Sequence, residues 1–73
     1  MEVNTAKIHL DVLTKRHQIE KKQCRTIPTI EIIGMIGIRK VTYFRMLRGE
    51  NIALGTLDKF ATFTCKKSSE YYY

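Results

Sequence analysis

The sequence has few cysteines and no long apolar run. Its 73 residues include two cysteines, Cys24 and Cys65, which are too few for the disulfide framework of small secreted domains. The isoleucine-rich stretch at residues 30–38 is interrupted by one glutamate and two glycines, so it does not make a membrane span. Residues 1–13 contain no uninterrupted apolar segment of the kind found in secretory signals. We therefore expect a cytoplasmic protein with two reduced thiols and no membrane association.

Patterns that carry enzyme or metal chemistry are also missing. Neither cysteine has a histidine at a recognisable spacing, and no glycine-rich phosphate loop follows a predicted strand. No pair of carboxylates indicates a catalytic cleft. His9 and His17 are isolated from any second metal ligand at a useful spacing. We expect neither an enzyme nor a protein that holds a metal, a cofactor or a small-molecule substrate.

Acidic residues are scarce relative to basic ones. The chain has 13 Lys and Arg residues against 7 Asp and Glu residues, which gives a net charge of +6. Residues 39–49 contain four basic residues and no acidic one. An earlier basic run, offset by Glu20, comprises Lys15, Arg16, Lys21, Lys22 and Arg25. Such clusters favour polyanions, because neutralising phosphates releases counterions. The alternative is a basic surface that serves solubility only.

The length of the chain limits it to one domain. A chain of 73 residues buries only about 60% of its extended surface, so its core is small. The 44% hydrophobic content argues against intrinsic disorder. A compact helical bundle with mostly local contacts suits these limits. We expect residues 1–73 to form a single domain.

Residues 27–49 read as two short helices joined by a tight turn. Pro28 is tolerated in the first turn of the first of these helices, where Thr26 or Thr29 could help to cap it. An apolar face at helical spacing follows, made of Ile32, Ile33 and Ile36. Gly37 comes next, at a position where a helix often ends in a left-handed residue. The pattern predicts a helix that ends at this glycine.

The second of these helices is predicted from Arg39 to Arg48, with Ile38 filling the turn before it. Tyr43, Met46 and Leu47 follow i, i+3, i+4 spacing and are expected to face inward. The other face then carries Arg39, Lys40, Thr42, Arg45 and Arg48. Gly49 is expected to end this helix. The sequence therefore predicts a helix whose outer face is basic.

An additional helix is expected before this pair. Ile8, Val12 and Leu13 indicate a helix from about Ala6 to about His17 with Asn4 or Thr5 as its cap, although alternation through Leu10 also permits a strand. Residues 1–5 are expected to form an arm or an edge strand. Residues 18–26 either extend the first helix or form a loop near a nucleic-acid backbone.

A fourth helix is expected after the pair. Leu57, Phe60 and Ala61 have helical spacing, and Phe63 or Thr64 should complete their inner face. Gly55 in the first turn weakens this helix by about 1 kcal/mol relative to alanine. Residues 68–73 form either a short last helix, with Ser68 as its cap, or a tail. At least one of Tyr71, Tyr72 and Tyr73 should pack on the core or on a second subunit, unless this segment frays.

The middle of the chain resembles a known family. The pattern Ile-Ile-x-x-Ile-Gly-Ile-x-x-x-Thr-Tyr-x-x-Met-x-Arg-Gly of residues 32–49 is similar to the helix-turn-helix of phage repressors, the lambda-repressor-like or Cro/xenobiotic-response-element family. The similarity extends over residues 27–63. It implies an all-α, compact four- to five-helix bundle, lambda-repressor-like, with the helix-turn-helix at about residues 28–48.

The resemblance also implies a function. Proteins of this type bind double-stranded DNA sequence-specifically and regulate transcription, so we expect a cytoplasmic, nucleoid-associated, repressor-like protein. Because tight binding usually needs two half-sites, a homodimer on a near-palindrome is expected. The alternative is a dimer that assembles only on DNA.

The family's contact positions can be carried over to residues of this sequence. By position, the residues expected to read bases are Arg39, Lys40, Val41 and Arg45. Arginines make bidentate contacts to guanine, and a valine can contact a thymine methyl group. The residues expected to contact phosphates are Thr29, Thr42, Arg48, Asn51, Lys21, Lys22 and Arg25. Phe44 occupies a position that is usually polar in the family.

Two other functions remain open. Gly34-Met35-Ile36-Gly37 has the Gly-x-x-Gly spacing of the loop with which KH domains clamp RNA, although the two residues between the glycines are apolar. Alternatively, the helix-turn-helix serves as a protein-interaction module, of the antitoxin or polymerase-associated kind. Phe44 and the tyrosines at residues 71–73 favour that alternative. The basic second helix favours DNA.

Overall fold

Four α-helices and one turn of 3₁₀ helix make up the fold. The structure is a computed structural model that describes residues 2–73. The elements are α1 (Thr5–Gln23), α2 (Thr29–Ile36), α3 (Lys40–Leu47), α4 (Leu54–Thr64) and the 3₁₀ turn Ser68–Tyr71. The only β-structure within residues 2–73 is one antiparallel bridge between Val3 and Tyr72. The predicted all-α class and small helical bundle are confirmed.

Helix α1 is longer than the apolar pattern predicted. It begins after Asn4, whose Oδ1 accepts a hydrogen bond of 3.1 Å from the backbone N–H of Lys7, so Asn4 is the cap. It passes the predicted end near His17 and stops at Gln23. The added turns consist mainly of good helix formers, and Ile19 among them packs against the core. Residues 18–23 therefore extend the helix.

Helix α2 and the following turn agree with the prediction. Ile32, Ile33 and Ile36 are buried, and α2 ends at Gly37, whose φ of 83° lies in the left-handed region. The N–H of Gly37 donates to the carbonyl of Ile33 at 3.0 Å. Neither predicted cap, Thr26 nor Thr29, is used: Pro28 occupies the cap position, and no side chain caps α2. Ile38 packs against the core in the turn.

Helix α3 is anchored by fewer residues than predicted. Tyr43 and Met46 are buried, but Leu47 is 39% exposed, so the expectation that Leu47 faces inward was wrong. A helix of eight residues presents only a narrow stripe to the core, and Tyr43 and Met46 fill it. Leu47 lies at the edge of that stripe. Its neighbours in a shallow groove include Thr5 and His9 of α1.

One hydrophobic core joins all four helices. Its members come from every helix, from the segment before α2 and from both ends of the chain. They are Val3, Ile8, Val12, Ile27, Ile32, Ile33, Ile36, Tyr43, Met46, Leu57, Phe60, Ala61 and Tyr71. In α4, the buried face is completed by Thr64, whereas Phe63 is half-buried.

The end of the chain packs onto the bundle through one tyrosine. Tyr71 is fully buried, and its hydroxyl donates to Asp11 Oδ2 at 2.8 Å and lies 2.6 Å from Thr64 Oγ1. Burial, with help from the bond to Asp11, raises the pKa of Tyr71 to about 12. Tyr73, by contrast, is 76% exposed. Of the alternatives for this segment, packing of one tyrosine on the core is confirmed.

The 3₁₀ turn is not capped by Ser68 as predicted. Lys67 occupies the cap position, and its backbone N–H donates to the Glu70 carboxylate at 2.8 Å, which lowers the pKa of Glu70. Ser68 is the first residue of the turn, and its hydroxyl donates to the Asp58 carboxylate of α4. Ser68 therefore joins the turn to α4.

Candidate nucleic-acid interface

The outward face of α3 carries a hydrophobic residue between cations. Val41, Arg45 and Arg48 are spaced i, i+4, i+7 and are all exposed, with Val41 at 51%. On the opposite side, Tyr43 and Met46 hold α3 to the core. The predicted separation of this helix into a buried and a basic side is therefore present, although only two residues form the buried side.

Arg39 and Lys40 lie at the N-terminal end of α3. Arg39 precedes the helix in an extended conformation (φ −82°, ψ 151°), and Lys40 is its first residue. No side chain caps this end, so the first backbone N–H groups are available to an acceptor. Within residues 2–73, neither side chain makes a hydrogen bond or an ion pair, and the same holds for Arg45. Three of the predicted base-reading cations are thus unpaired and exposed.

Arg48, a predicted phosphate contact, is paired with an acid. Its Nε lies 2.6 Å from Glu50 Oε2, and both side chains are at least half exposed. Exposed ion pairs are weak because water and salt screen them. A phosphate can therefore replace the Glu50 carboxylate at Arg48 at little cost.

A second exposed ion pair lies at the start of α2. Arg25 donates two hydrogen bonds to Glu31, at 3.3 Å and 2.5 Å. This pairing lowers the pKa of Glu31 and raises the pKa of Arg25. Arg25 is thus partly neutralised, whereas Lys21 and Lys22, in the last turn of α1, are exposed. Lys21, Lys22 and Arg25 therefore lie where α1 ends and the connection to α2 begins.

The remaining predicted phosphate contacts lie in different parts of the fold. Thr29, at the start of α2, accepts a hydrogen bond of 3.4 Å from Arg16 Nη1. Asn51 is exposed in the connection between α3 and α4. Thr42 is half-buried and lines a groove between α3 and α4. The predicted phosphate contacts are therefore divided among the end of α1 with the start of α2, the groove between α3 and α4, and the connection between these two helices.

Lys59 lines the groove between α3 and α4 but was not among the predicted residues. It lies in α4, and its Nζ donates to the carbonyl of Gly37 at 3.1 Å. That contact joins residues 22 positions apart, so no local pattern in the sequence pointed to it. Lys59 lines the same groove as Thr42 and Arg39.

A smaller apolar surface lies beside the basic one. Phe44 is 38% exposed and makes an edge-to-face contact with Tyr43, with ring centroids 5.9 Å apart. Leu47, one turn further along α3, is similarly exposed. These residues form an apolar edge on the basic helix.

The structure does not form the RNA-binding loop considered as an alternative. Gly34 lies inside α2, and the segment from Gly34 to Gly37 is the last turn of that helix. A KH loop needs these residues outside a helix to clamp a backbone. Gly37 alone has a positive φ here. This interpretation of the Gly-x-x-Gly spacing was wrong.

No helix in the described part of the chain is both long and apolar enough to cross a membrane. No group of three or more His, Cys, Asp or Glu side chains there is arranged to hold a metal ion.

Comparisons of the chain with models of known families, with curated proteins and with solved structures find no match.

Proposed function

We propose that this protein binds double-stranded DNA sequence-specifically and regulates transcription. The observation that carries the proposal is the exposed basic side of α3, which Tyr43 and Met46 anchor to the core. Its exposed cations are Lys40 and Arg45 on the helix, Arg39 just before it and Arg48 at its end. The net charge of +6 supports a polyanionic partner.

The lambda-repressor-like form of the bundle is part of the same proposal. Its support is the pair of eight-residue helices joined at Gly37, preceded by α1 and followed by α4 in the order that the resemblance implies. We propose that the protein acts in the cytoplasm at the nucleoid. Two copies would bind a near-palindrome, because one helix of this size contacts only a short half-site.

In this mechanism α3 enters the major groove. A helix with its side chains is about 10–12 Å wide and the groove is about 12 Å wide, so the outward face of α3 meets base edges. Arg39 and Arg45 would donate to guanine O6 and N7, with Lys40 as a further donor. Val41 would contact a thymine methyl group. Base reading is thus assigned to exposed residues at the start of α3 and along it, whose side chains make no ion pair within residues 2–73.

Residues around α3 would fix its position by binding phosphates. Arg48 would exchange the Glu50 carboxylate for a phosphate, and Thr42 and Asn51 lie on the side toward α4. Thr29 lies at the start of α2, while Lys21 and Lys22 lie in the last turn of α1 and Arg25 in the connection that follows. Contacts of this kind supply affinity and set the register without reading sequence.

A binding selection from random duplex DNA tests this function. We expect enrichment of one short motif, with guanines at the positions that Arg39 and Arg45 contact. The matched control is a variant with Arg39, Lys40 and Arg45 changed to Gln, which keeps the buried residues of α3. Failure of the wild-type protein to enrich any motif would overturn sequence-specific DNA binding.

A second candidate function is protein interaction through the apolar edge. Phe44 and Leu47 are partly exposed one turn apart on α3, and such residues suit a protein partner. Salt separates the two functions. Binding through phosphates weakens steeply as salt rises, whereas an apolar contact does not.

A further inference from the structure

We propose that the groove between the start of α3 and α4 binds one phosphate of the DNA backbone through Lys59 and Thr56, together with Thr42. This inference rests on the proposed DNA-binding function and extends the contact surface to α4. It assigns a ligand contact to Lys59 and Thr56, for which no function was predicted from the sequence.

The lining of the groove suits a phosphate. It consists of Gly37, Ile38, Arg39, Thr42, Thr56 and Lys59. Two of these residues are cations and two carry hydroxyl groups, and no carboxylate lines the groove. Phosphate oxygens accept hydrogen bonds from ammonium, guanidinium and hydroxyl groups.

Lys59 is held in place before any ligand binds. Its Nζ donates to the carbonyl of Gly37 at 3.1 Å. An ammonium group has three N–H donors, so two remain for a phosphate. Because one hydrogen bond already restricts this side chain, less conformational entropy is lost when a phosphate binds.

The position of the groove relative to α3 explains why a phosphate would reach it. A helix nearly as wide as the major groove brings the sugar-phosphate strands close to its two flanks. Thr42 lies on the flank of α3 that faces α4, where it shares the groove with Thr56 and Lys59. Arg39, proposed to read a base, lines the same groove. The phosphate site therefore continues the base-reading surface.

The salt dependence of DNA binding tests this inference. With a selected duplex as the probe, we expect Lys59→Gln to reduce the slope of log K against log salt by about 0.9, the value for one phosphate contact. Lys66→Gln removes the same charge from the connection after α4 and should leave the slope unchanged. Lys59→Arg keeps the charge and should retain the wild-type slope.

Two further measurements, both on Thr56→Val, test the phosphate contact without changing Lys59. Thr56→Val should weaken binding by roughly 2- to 10-fold, as expected for one lost hydrogen bond, while the thermal midpoint stays near that of the wild type. A wild-type slope for Lys59→Gln would overturn the inference but leave DNA binding standing. If the wild-type protein binds no duplex at all, the proposed function fails, and this inference fails with it.

Discussion

Helices α2 and α3 have the same length and lie on either side of Gly37, yet they differ in how much of their surface is buried. Helix α2 buries three isoleucines and carries one charged residue, Glu31. Helix α3 buries only Tyr43 and Met46, and exposes cations. Two anchors are enough to hold a helix of eight residues. Helix α2 is therefore held mainly by packing, whereas most side chains of α3 are exposed to solvent.

The largest effect expected from this comparison is on stability. Ile32→Ala in α2 removes a fully buried side chain and should reduce the free energy of unfolding by about 2–5 kcal/mol. Val41→Ala, at an exposed position of α3, should change it by less than about 0.5 kcal/mol. Urea denaturation followed by circular dichroism measures both. Equal losses from the two variants would contradict the contrast between the helices.

The turn between the two helices offers a matched pair of glycines. Gly37 has a φ of 83°, so Gly37→Ala should destabilise the fold by about 1–2 kcal/mol. Gly34 lies inside α2, and a Cβ added there would meet no atom within 4 Å. Gly34→Ala should therefore stabilise the fold, by roughly 0.5–1 kcal/mol. Thermal unfolding of both variants checks the opposite signs, and two changes of the same sign would contradict the ending of α2 at Gly37.

A smaller loss of stability is expected from removing the hydroxyl of Tyr71, a buried polar group that contrasts with the exposed polar groups of α3. Tyr71→Phe removes the hydroxyl that contacts Asp11 and Thr64, at a cost of about 1 kcal/mol near neutral pH. Because burial raises the pKa of Tyr71 to about 12, the folded state holds this proton more tightly than the unfolded state does. The stability is therefore present below about pH 10, the ordinary tyrosine value, and is lost as pH rises toward 12.

Comparing the wild type with Tyr71→Phe across alkaline pH isolates this residue from the lysines. The stability difference between the two proteins should shrink above about pH 10. A constant difference from pH 7 to pH 11 would show that the hydroxyl titrates equally in both states.

The parts of the fold that local patterns determine were predictable from the sequence. The spacing of Ile32, Ile33 and Ile36 and the following Gly37 gave α2 and its end correctly. The end of α1 was placed too early, because apolar residues thin out after Leu13 while helix-forming polar residues continue to Gln23. Leu47 was misassigned, since periodicity does not show how wide the buried stripe of a short helix is.

Contacts between distant parts of the chain could not be predicted in this way. Tyr71 and Asp11 are 60 positions apart, and Lys59 and Gly37 are 22 positions apart. Neither pair belongs to a periodic pattern or a turn motif. The exposure of the cations on α3 was therefore predictable from the sequence, whereas the groove that α3 shares with α4 was not.

We propose that exposed cations at the two ends of α3 have separate roles on DNA: Arg39 reads a base, whereas Arg48 binds a phosphate. The most direct test of these roles is the affinity of the wild type, Arg39→Ala and Arg48→Ala for a selected duplex and for the same duplex with its motif scrambled. We expect Arg39→Ala to lose about 5- to 150-fold in discrimination between the two duplexes, as for one bidentate base contact. Arg48→Ala should weaken binding to both duplexes by the same factor. Equal losses on both duplexes from both variants would contradict the claim.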